Sequence, residues 1–127
     1  MKYLTKEQML LIHSMIVDET RGLHGVRDYH AILCLEALPK QKSFGKELYP
    51  TIFLKSALYA RNIIMAHPFL DGNKRSGMTS AIVFLENNGY IFQADTGEVE
   101  GFALEIVGKR LSLETIALWL KKHAKKT

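Results

Sequence analysis

The chain has 127 residues, of which 47% are hydrophobic and 24% charged, and its formal net charge is +4. This length fits one domain, residues 1–127, with a single hydrophobic core. The one cysteine, Cys34, excludes an internal disulfide, and its apolar neighbours predict a buried packing residue. No signal peptide is visible and no apolar run is long enough to span a bilayer, so we expect a cytoplasmic protein without a membrane partner.

Capping residues and the helical spacing of apolar side chains predict an all-α domain of five to seven helices, which could include a small β-hairpin or flap. Thr5 and Gln8 form a capping box, so the first helix begins there and ends at Gly22. The later helices are predicted from Asp28 to about Leu38, from about Tyr49 with Pro50 in the first turn to about His67, from within residues 71–75 to Gly89, from Asp95 or Thr96, and from Ser112. His13, Trp119 and the methionines lie on apolar helical faces and are predicted to pack in the core.

Three polar or short stretches fall outside this helical pattern. Residues 40–48, KQKSFGKEL, are predicted to form an exposed loop with a short extended piece. Residues 90–93, YIFQ, could be a short strand. The closing stretch KKHAKK, residues 121–126, is best explained as the cationic end of the last helix, where lysines complement the dipole. Because a short surface charge run is a weak signal, we expect no direct binding of nucleic acid.

The most informative stretch is HPFLDGNKRSG, residues 67–77, between two largely apolar helices. The second helix begins inside it, so unpartnered backbone N–H groups and the helix dipole attract an anion there. Gly72 lets a ligand approach the backbone, and Lys74 and Arg75 add positive charge. Asp71 suits a Mg²⁺ ion bound to substrate phosphates, and His67 suits a base that takes a proton from a hydroxyl. The segment therefore predicts a phosphoryl-transfer site.

The stretch HPFLDGNKR resembles the signature of the Fic/Doc family, and GLHGVRD, LSLETIALWL and the chain length are similar to the Doc (death-on-curing) toxins. The resemblance implies a compact helical domain with this motif at a loop-to-helix junction. It implies His67 as the general base, Phe69 as the anchor of the loop in the core and Asp71 as the ligand of Mg²⁺. Also implied are an anion cradle of Gly72, Asn73 and Lys74, a phosphate clamp at Arg75, and a target-docking flap formed by Lys42, Ser43, Phe44, Gly45 and Lys46.

The resemblance leaves two transfer reactions open. Fic-type enzymes commonly move AMP from ATP to a protein hydroxyl, whereas Doc-type toxins transfer the γ-phosphate, with translation elongation factor Tu as the known class of target. Lys74, where the AMP-transferring pattern has glycine, and Met78, where it has a second arginine, favour the kinase. Gly72 points the other way, because Doc has alanine there. We predict an ATP- and Mg²⁺-dependent kinase toxin that modifies a Ser/Thr hydroxyl of a host translation protein, with AMP transfer (AMPylation) as the alternative.

Two weaker patterns remain. TGEVEG, residues 96–101, fits the inhibitory pattern of some Fic proteins, in which Glu100 would pair with Arg75, but coincidence explains it better. Arg61 and His67 fit the Arg-x₄₋₆-His spacing of HEPN ribonuclease toxins, which need no metal ion, but that alternative leaves Asp71 unexplained. The Doc resemblance also implies a cognate antitoxin, partly disordered when free, that folds onto this protein.

Overall fold

The computed structural model describes residues 1–127 and contains six α-helices, one 3₁₀ turn and four short strands. The helices are α1 (Lys6–Thr20), α2 (Tyr29–Ala37), α3 (Ile52–Ala66), α4 (Asn73–Asn87), α5 (Thr96–Gly108) and α6 (Leu113–His123). The strands are β1 (Lys42–Ser43), β2 (Lys46–Glu47), β3 (Tyr90–Phe92) and β4 (Ala124–Lys126), and the 3₁₀ turn is Leu38–Lys40. Strands β1 and β2 form an antiparallel hairpin, and β3 pairs with β4. The prediction of a helical domain with five to seven helices and a small hairpin is confirmed.

Helix α3 packs against α4 at the centre of the structure. Gly77 on α4 permits the close approach, because a Cβ atom there would lie 2.8 Å from Cγ1 of Ile64 and 2.9 Å from the carbonyl oxygen of Ala60. All six helices contribute to one core cluster of 22 buried residues. No helix combines the length and the apolar character that crossing a bilayer requires.

The helix starts follow the capping residues read from the sequence, with one exception. The capping box of Thr5 and Gln8 is present, and Asp28, Asp95 and Ser112 cap α2, α5 and α6. Helix α3 starts later than predicted, at Ile52, because the hydroxyl of Thr51 accepts a hydrogen bond from the N–H of Leu54 at 3.1 Å. Pro50 therefore precedes the helix instead of occupying its first turn.

Two predictions about individual side chains are wrong. Cys34 is exposed, because α2 turns Ile32 and Leu35 toward the core, and its Sγ lies 3.3 Å from Nε2 of His30. The methionines divide: Met9 and Met78 are fully buried, whereas others, such as Met15, are on the surface. Helical spacing alone does not tell which face of a short helix with apolar residues on both sides meets the core.

The chain end also differs from expectation. Helix α6 stops at His123, and residues 124–126 form β4 instead of continuing the helix. Strand β3 needs a partner for its backbone groups, and β4 supplies one, with Tyr90 opposite Lys126 and Phe92 opposite Ala124. Two of the closing lysines therefore lie on a strand and not at a helix end.

Candidate active site

The segment 67–72 joins α3 to α4 and carries several of the predicted site residues. Pro68 helps to stop α3, because the residue before a proline avoids helical geometry. His67 takes a left-handed conformation instead, with φ 50° and ψ 56°. Such a backbone is uncommon for residues other than glycine and persists where the surroundings hold it.

Arg27 holds the backbone at this point. Its Nε donates a hydrogen bond to the carbonyl oxygen of His67 at 2.8 Å, and its Nη2 donates to that of Ala66 at 3.0 Å. These carbonyls lie at the end of α3 and have no partner inside the helix. A cation there also complements the negative end of the helix dipole. Arg27 therefore fixes the position from which the His67 side chain projects.

Residues 25–28 run along the segment like a short second strand. Val26 and Phe69 form an antiparallel bridge, and the N–H of Leu70 donates to the carbonyl oxygen of Gly25 at 3.1 Å. The carbonyl oxygen of Pro68 accepts hydrogen bonds from the next two N–H groups, of residues 27 and 28, at 2.7 and 3.0 Å. The stretch GLHGVRD, which the sequence showed only as similar to the Doc toxins, is thus hydrogen-bonded directly to the segment that carries the motif.

Phe69 anchors the segment, as the family resemblance implies. Its side chain is buried, and its ring stacks on the imidazole of His13 from α1, with centroids 3.7 Å apart and planes within 4°. Nε2 of His13 lies 2.8 Å from the carbonyl oxygen of Asp71, which can only accept, so this nitrogen carries the proton. Burial lowers the pKa of His13, so it is neutral at pH 7. The packing role predicted for His13 is confirmed and extends to the motif.

The amide of Asn73 closes the segment from the other side. Its Oδ1 accepts from the N–H of Phe69 and its Nδ2 donates to the carbonyl oxygen of the same residue, both at 3.0 Å. Both polar atoms of the side chain therefore help to fix the loop. Asn73 can contribute to an anion cradle through its backbone N–H, which has no partner in the chain, and through the second hydrogen of Nδ2.

The N-terminus of α4 is open to an anion. No side chain caps it, and the backbone N–H groups of Asn73, Lys74 and Arg75 have no acceptor within the chain. Gly72 precedes them with φ 77° and packs on α1, where a Cβ atom would lie 3.3 Å from Cγ1 of Val17. Three free N–H groups, the helix dipole and two cationic side chains therefore converge at this helix end.

Asp71 is exposed, and its carboxylate is held by two backbone groups. Oδ1 accepts from the N–H of Gly72 at 2.9 Å and Oδ2 from that of Leu23 at 3.2 Å. Each carboxylate oxygen still has a free lone pair for a further partner. No cluster of three or more carboxylates, histidines or cysteines that could hold a metal ion alone is present. Asp71 suits Mg²⁺ that takes its remaining ligands from phosphates and water.

An open cleft of 780 Å³ brings most of the predicted site residues together. Its lining consists of Arg27, Met65, His67, Phe69, Leu70, Asp71, Gly72, Asn73, Lys74 and Arg75. The nearest carboxylate to Arg75 is that of Glu19 on α1, at 3.9 Å, and both side chains remain largely exposed, so this ion pair is weak. The guanidinium of Arg75 is therefore available to a ligand.

The hairpin and Arg61 lie outside this cleft. None of residues 42–46 lines it. The base of the hairpin contacts Lys55 near the start of α3, whereas His67 follows the other end of this helix, which is about 22 Å long. The docking role implied for Lys42, Ser43, Phe44, Gly45 and Lys46 stays a prediction, now for a surface remote from the cleft. Nε of Arg61 donates to Oδ1 of Asn62, its neighbour, at 3.3 Å. The structure does not bring Arg61 and His67 into one cleft.

A second cavity of 420 Å³ opens between α4 and α5. Lys74 and Arg75 line both cavities, so the two meet at the N-terminus of α4. Its other lining residues are Met78, Thr79, Ala94, Thr96, Val99, Glu100, Ala103 and Leu104. Glu100 and Arg75 share this cavity, but they form no ion pair.

The sequence did not reveal Arg27, or the part that His13 and Asn73 play in fixing the loop. Arg27 acts on a helix end 40 positions away in the chain. Its only local signal is its place in the stretch GLHGVRD, which resembles the family but carries no spacing that predicts a contact. Such contacts depend on how α1 and α2 pack around α3, which residue patterns do not specify.

The structure thus places together a buried helix that ends at a histidine, a fixed loop with an acidic residue, and an uncapped helix start with two cations, which are groups that suit a phosphate. The Fic/DOC family model matches residues 3–85, and the chain belongs to this family, which indicates a transferase. Over 125 residues it is 30% identical to the toxin Doc of Mycolicibacterium smegmatis, covering 97% of this chain and 94% of that protein. Over 122 residues it is 24% identical to the protein kinase doc of Escherichia phage P1, covering 96% and 95%. The resemblance to the Fic/Doc family that the sequence showed is confirmed, and so is the similarity to Doc toxins.

Proposed function

We propose that this protein is a Doc-like toxin that transfers the γ-phosphate of ATP to a Ser/Thr hydroxyl of a host translation protein of the elongation factor Tu class. The observation that carries the proposal is the shared cleft of His67, Asp71, Lys74 and Arg75 at the open N-terminus of α4. The proposed cofactors are ATP and Mg²⁺, and the proposed site of action is the cytoplasm. The name of the phage P1 relative, protein kinase doc, supports the kinase over the AMP transferase.

His67 is the proposed general base. Its imidazole makes no hydrogen bond within the chain, so a ring nitrogen is free to accept the proton of a substrate hydroxyl. Arg27 and the bridge between residues 26 and 69 fix its backbone, which favours a constant position of the ring. The proton would leave the attacking oxygen for the imidazole as the new oxygen–phosphorus bond forms and the bond between the γ-phosphorus and the bridging oxygen breaks, so that ADP leaves with that oxygen.

Asp71 is the proposed ligand of Mg²⁺, which when bound would neutralise charge on the phosphates. The N–H groups at the start of α4 and the side chains of Lys74 and Arg75 would hold the phosphate oxygens. Lysine supplies a mobile point charge and arginine a planar fork, so the two cations have different parts. We assign Arg75 the bidentate binding of one phosphate group, and Lys74 the electrostatic attraction of the triphosphate as a whole.

The cavity between α4 and α5 supports the transfer of the γ-phosphate. Lys74 and Arg75 line both cavities, so a triphosphate held by them would have one end toward His67 and the other toward this cavity. Val99, Ala103 and Leu104 offer apolar surface to a base, whereas the carboxylate of Glu100 would repel a terminal phosphate and can accept hydrogen bonds from ribose hydroxyls. The nucleoside therefore fits this cavity better than the γ-phosphate does, which leaves the γ-phosphate beside His67.

Two motif positions bear on the same choice. Met78, which stands where AMP-transferring enzymes have a second arginine, is 1% exposed and packs in the core, so it leaves no second clamp. Gly72, which matched the AMP-transferring pattern, has a local explanation, because its positive φ and its contact with Val17 disfavour a side chain. Gly72 therefore no longer weighs against the kinase.

AMP transfer is the second candidate, because the same cleft could hold the α-phosphate beside His67. The HEPN-type ribonuclease has no support from the placement of Arg61, which lies outside the cleft. A cognate antitoxin, partly disordered when free, is proposed as a partner because both relatives carry the name Doc.

The outer edge of residues 24–26 is the proposed docking place for the target segment near the reacting atoms. The hydrogen bonds to residues 68 and 70 use the carbonyl of Gly25 and the N–H of Arg27, so the backbone groups of Val26 point away from the motif. An extended peptide could pair with these free groups as an added strand. This edge lies beside the cleft, whereas the hairpin of β1 and β2 does not.

Labelled ATP tests the proposed reaction. The purified protein is incubated with lysate of its host and Mg²⁺, with ³²P at either the α or the γ position. We expect a protein band labelled from γ-³²P alone, and no label after chelation of Mg²⁺. Label from α-³²P would instead establish AMP transfer, and RNA cleavage without metal and without a labelled protein would establish a ribonuclease.

A further inference from the structure

The hairpin of β1 and β2 carries a feature that its turn does not need. Phe44 and Gly45 form the two-residue loop, and both have positive φ, 50° and 78°, which defines a type I′ turn. Asparagine is preferred at the first of these positions, and a bulky side chain there is strained. The ring of Phe44 is also fully exposed, at 103% of its reference area. A residue that is unfavourable both in backbone and in solvation indicates a role in binding.

One buried lysine ties the hairpin to α3 at its base. Lys55 on α3 is 1% exposed, and its Nζ donates to the carbonyl oxygen of Pro39 at 2.8 Å and to Oε1 of Glu47 at 2.9 Å. Pro39 precedes β1 and Glu47 lies in β2, so one ammonium group binds both legs of the hairpin. The base of the hairpin is therefore attached to the protein body, while residues 41–48 are all exposed.

Unpaired lysines surround this end of the molecule. Lys42 and Lys46 flank Phe44, and Nζ of Lys40 lies 5.5 Å from the centre of the Tyr3 ring, which Lys55 also faces at 5.6 Å. None of these three surface lysines forms an ion pair with a carboxylate, and the nearby Glu47 is already neutralised by Lys55. The hairpin therefore adds positive charge without compensation.

The terminal sheet adds more lysines at the same end. The ring of Phe53, in the first turn of α3, packs edge-on against Tyr90 of β3 at 5.3 Å, and Nζ of Lys126 lies 5.5 Å from the Tyr90 ring centre. The backbone of Lys2 is bonded to the Asn88 side chain next to β3. The surface, here called the basic end, comprises Phe44 and Lys2, Lys40, Lys42, Lys46 and Lys126.

We propose that the basic end binds single-stranded nucleic acid, with a base stacked on Phe44 and phosphates on the lysines. An exposed aromatic ring among cations is the arrangement that binds single strands without sequence preference. Interfaces between proteins are depleted in lysine, which disfavours a protein partner. The sequence-based expectation of no nucleic-acid binding placed all the closing lysines at a helix end. Lys121 and Lys122 are in the last turn of α6, but Lys125 and Lys126 lie in β4, where that explanation does not apply. The proposal is independent of the transfer reaction.

Fluorescence anisotropy with short labelled oligonucleotides tests the proposal on the whole protein, without ATP. The probes are an unstructured 12-nucleotide RNA, the DNA of the same sequence, the blunt duplex, and a labelled polyglutamate peptide. We expect both single strands to bind more tightly than the duplex, whose bases are not free to stack. Tighter binding of the RNA than of the DNA would indicate contacts with the 2′-hydroxyl groups and would identify RNA as the ligand.

Phe44→Asn is the decisive variant, because asparagine suits the turn better than phenylalanine and should not unfold the hairpin. We expect it to weaken single-strand binding about tenfold or more. Leu118→Asn, which removes another exposed apolar side chain, 67% exposed on α6, is the matched control and should leave binding unchanged. The double change of Lys42 and Lys46 to Ala should reduce the slope of log K against log salt by about 1.4.

Several results would overturn the proposal. They are absence of single-strand binding at low salt, equal binding by the Phe44→Asn variant and the unaltered protein, and tighter binding of the duplex than of the single strands. Tighter binding of polyglutamate than of either oligonucleotide would assign the basic end to an acidic protein instead.

Discussion

The two ends of α3 are held in different ways. At its C-terminal end, the segment 67–72 is bound by Arg27, by residues 25–28, by the ring of His13 and by the amide of Asn73. At its N-terminal end, the exposed hairpin of residues 41–48 is tied to the protein body by the single ammonium of Lys55. Proton and phosphate transfer require atoms placed to within a fraction of an ångström, and binding of a flexible partner does not. The difference fits the chemistry proposed for one end and the binding proposed for the other.

The variant with the largest expected effect is His67→Ala, at the C-terminal end of α3, which tests whether this end carries the chemistry. Loss of the general base should reduce target labelling about 10²- to 10⁴-fold, because that is the usual contribution of a positioned acid or base. The melting temperature should change little, since the imidazole makes no hydrogen bond within the chain. Label transfer and circular dichroism melting measure the two effects. His30→Ala, which removes an exposed imidazole on α2, is the matched control and should keep full activity.

Asn73→Ala tests whether the loop needs the two hydrogen bonds that the Asn73 side chain makes to Phe69. The change removes two hydrogen bonds to Phe69 and should cost about 2 kcal/mol of stability, lowering the melting temperature by roughly 8 °C. Activity should also fall, because the N–H groups at the start of α4 lose their fixed place. Asn87→Ala at the exposed end of the same helix should change neither quantity. A stable but inactive Asn73→Ala variant would show instead that the amide acts on the substrate.

The sequence predicted the segment that follows the C-terminal end of α3 better than it predicted the contacts that hold this segment in place. The contiguous stretch HPFLDGNKR determines both a helix end and a helix start, so His67, Asp71 and the α4 N-terminus were predictable from local rules. Arg27 and His13 act across 40 and 58 positions, through packing that local rules do not describe. The starts of α1, α2, α5 and α6 followed from caps, whereas β4 depended on a partner strand distant in the chain.

Lys55→Met tests the single tether of the hairpin. Methionine fills a similar volume and leaves no unpaired charge in the core, so the melting temperature should shift by only about 3 °C. Amide exchange of residues 41–48 should accelerate at least about tenfold as the hairpin opens locally, while residues 67–73 keep their protection. Exchange measured by mass spectrometry separates the two ends. Lys109→Met, which breaks a surface ion pair with Glu105, should leave both segments unchanged. Unaltered exchange in the hairpin would mean that its own turn suffices to hold it.

The smallest expected effect is a difference in pH dependence between the two ends. Burial lowers the pKa of His13 from 6.5, so below that pH the unfolded chain takes up a proton that the folded protein resists, and stability at the loop falls. The hydrogen bond from Lys55 lowers the pKa of Glu47 from 4.5, so the tether keeps its full strength above that pH and weakens as the pH falls further. Between pH 7.5 and 5.5 only the loop should therefore lose stability. Urea unfolding at these two pH values should show a decrease that is smaller in His13→Gln, because glutamine can still donate to the Asp71 carbonyl but does not titrate. An equal decrease in both proteins would remove His13 as the source, and the loop would then owe its pH response to another group.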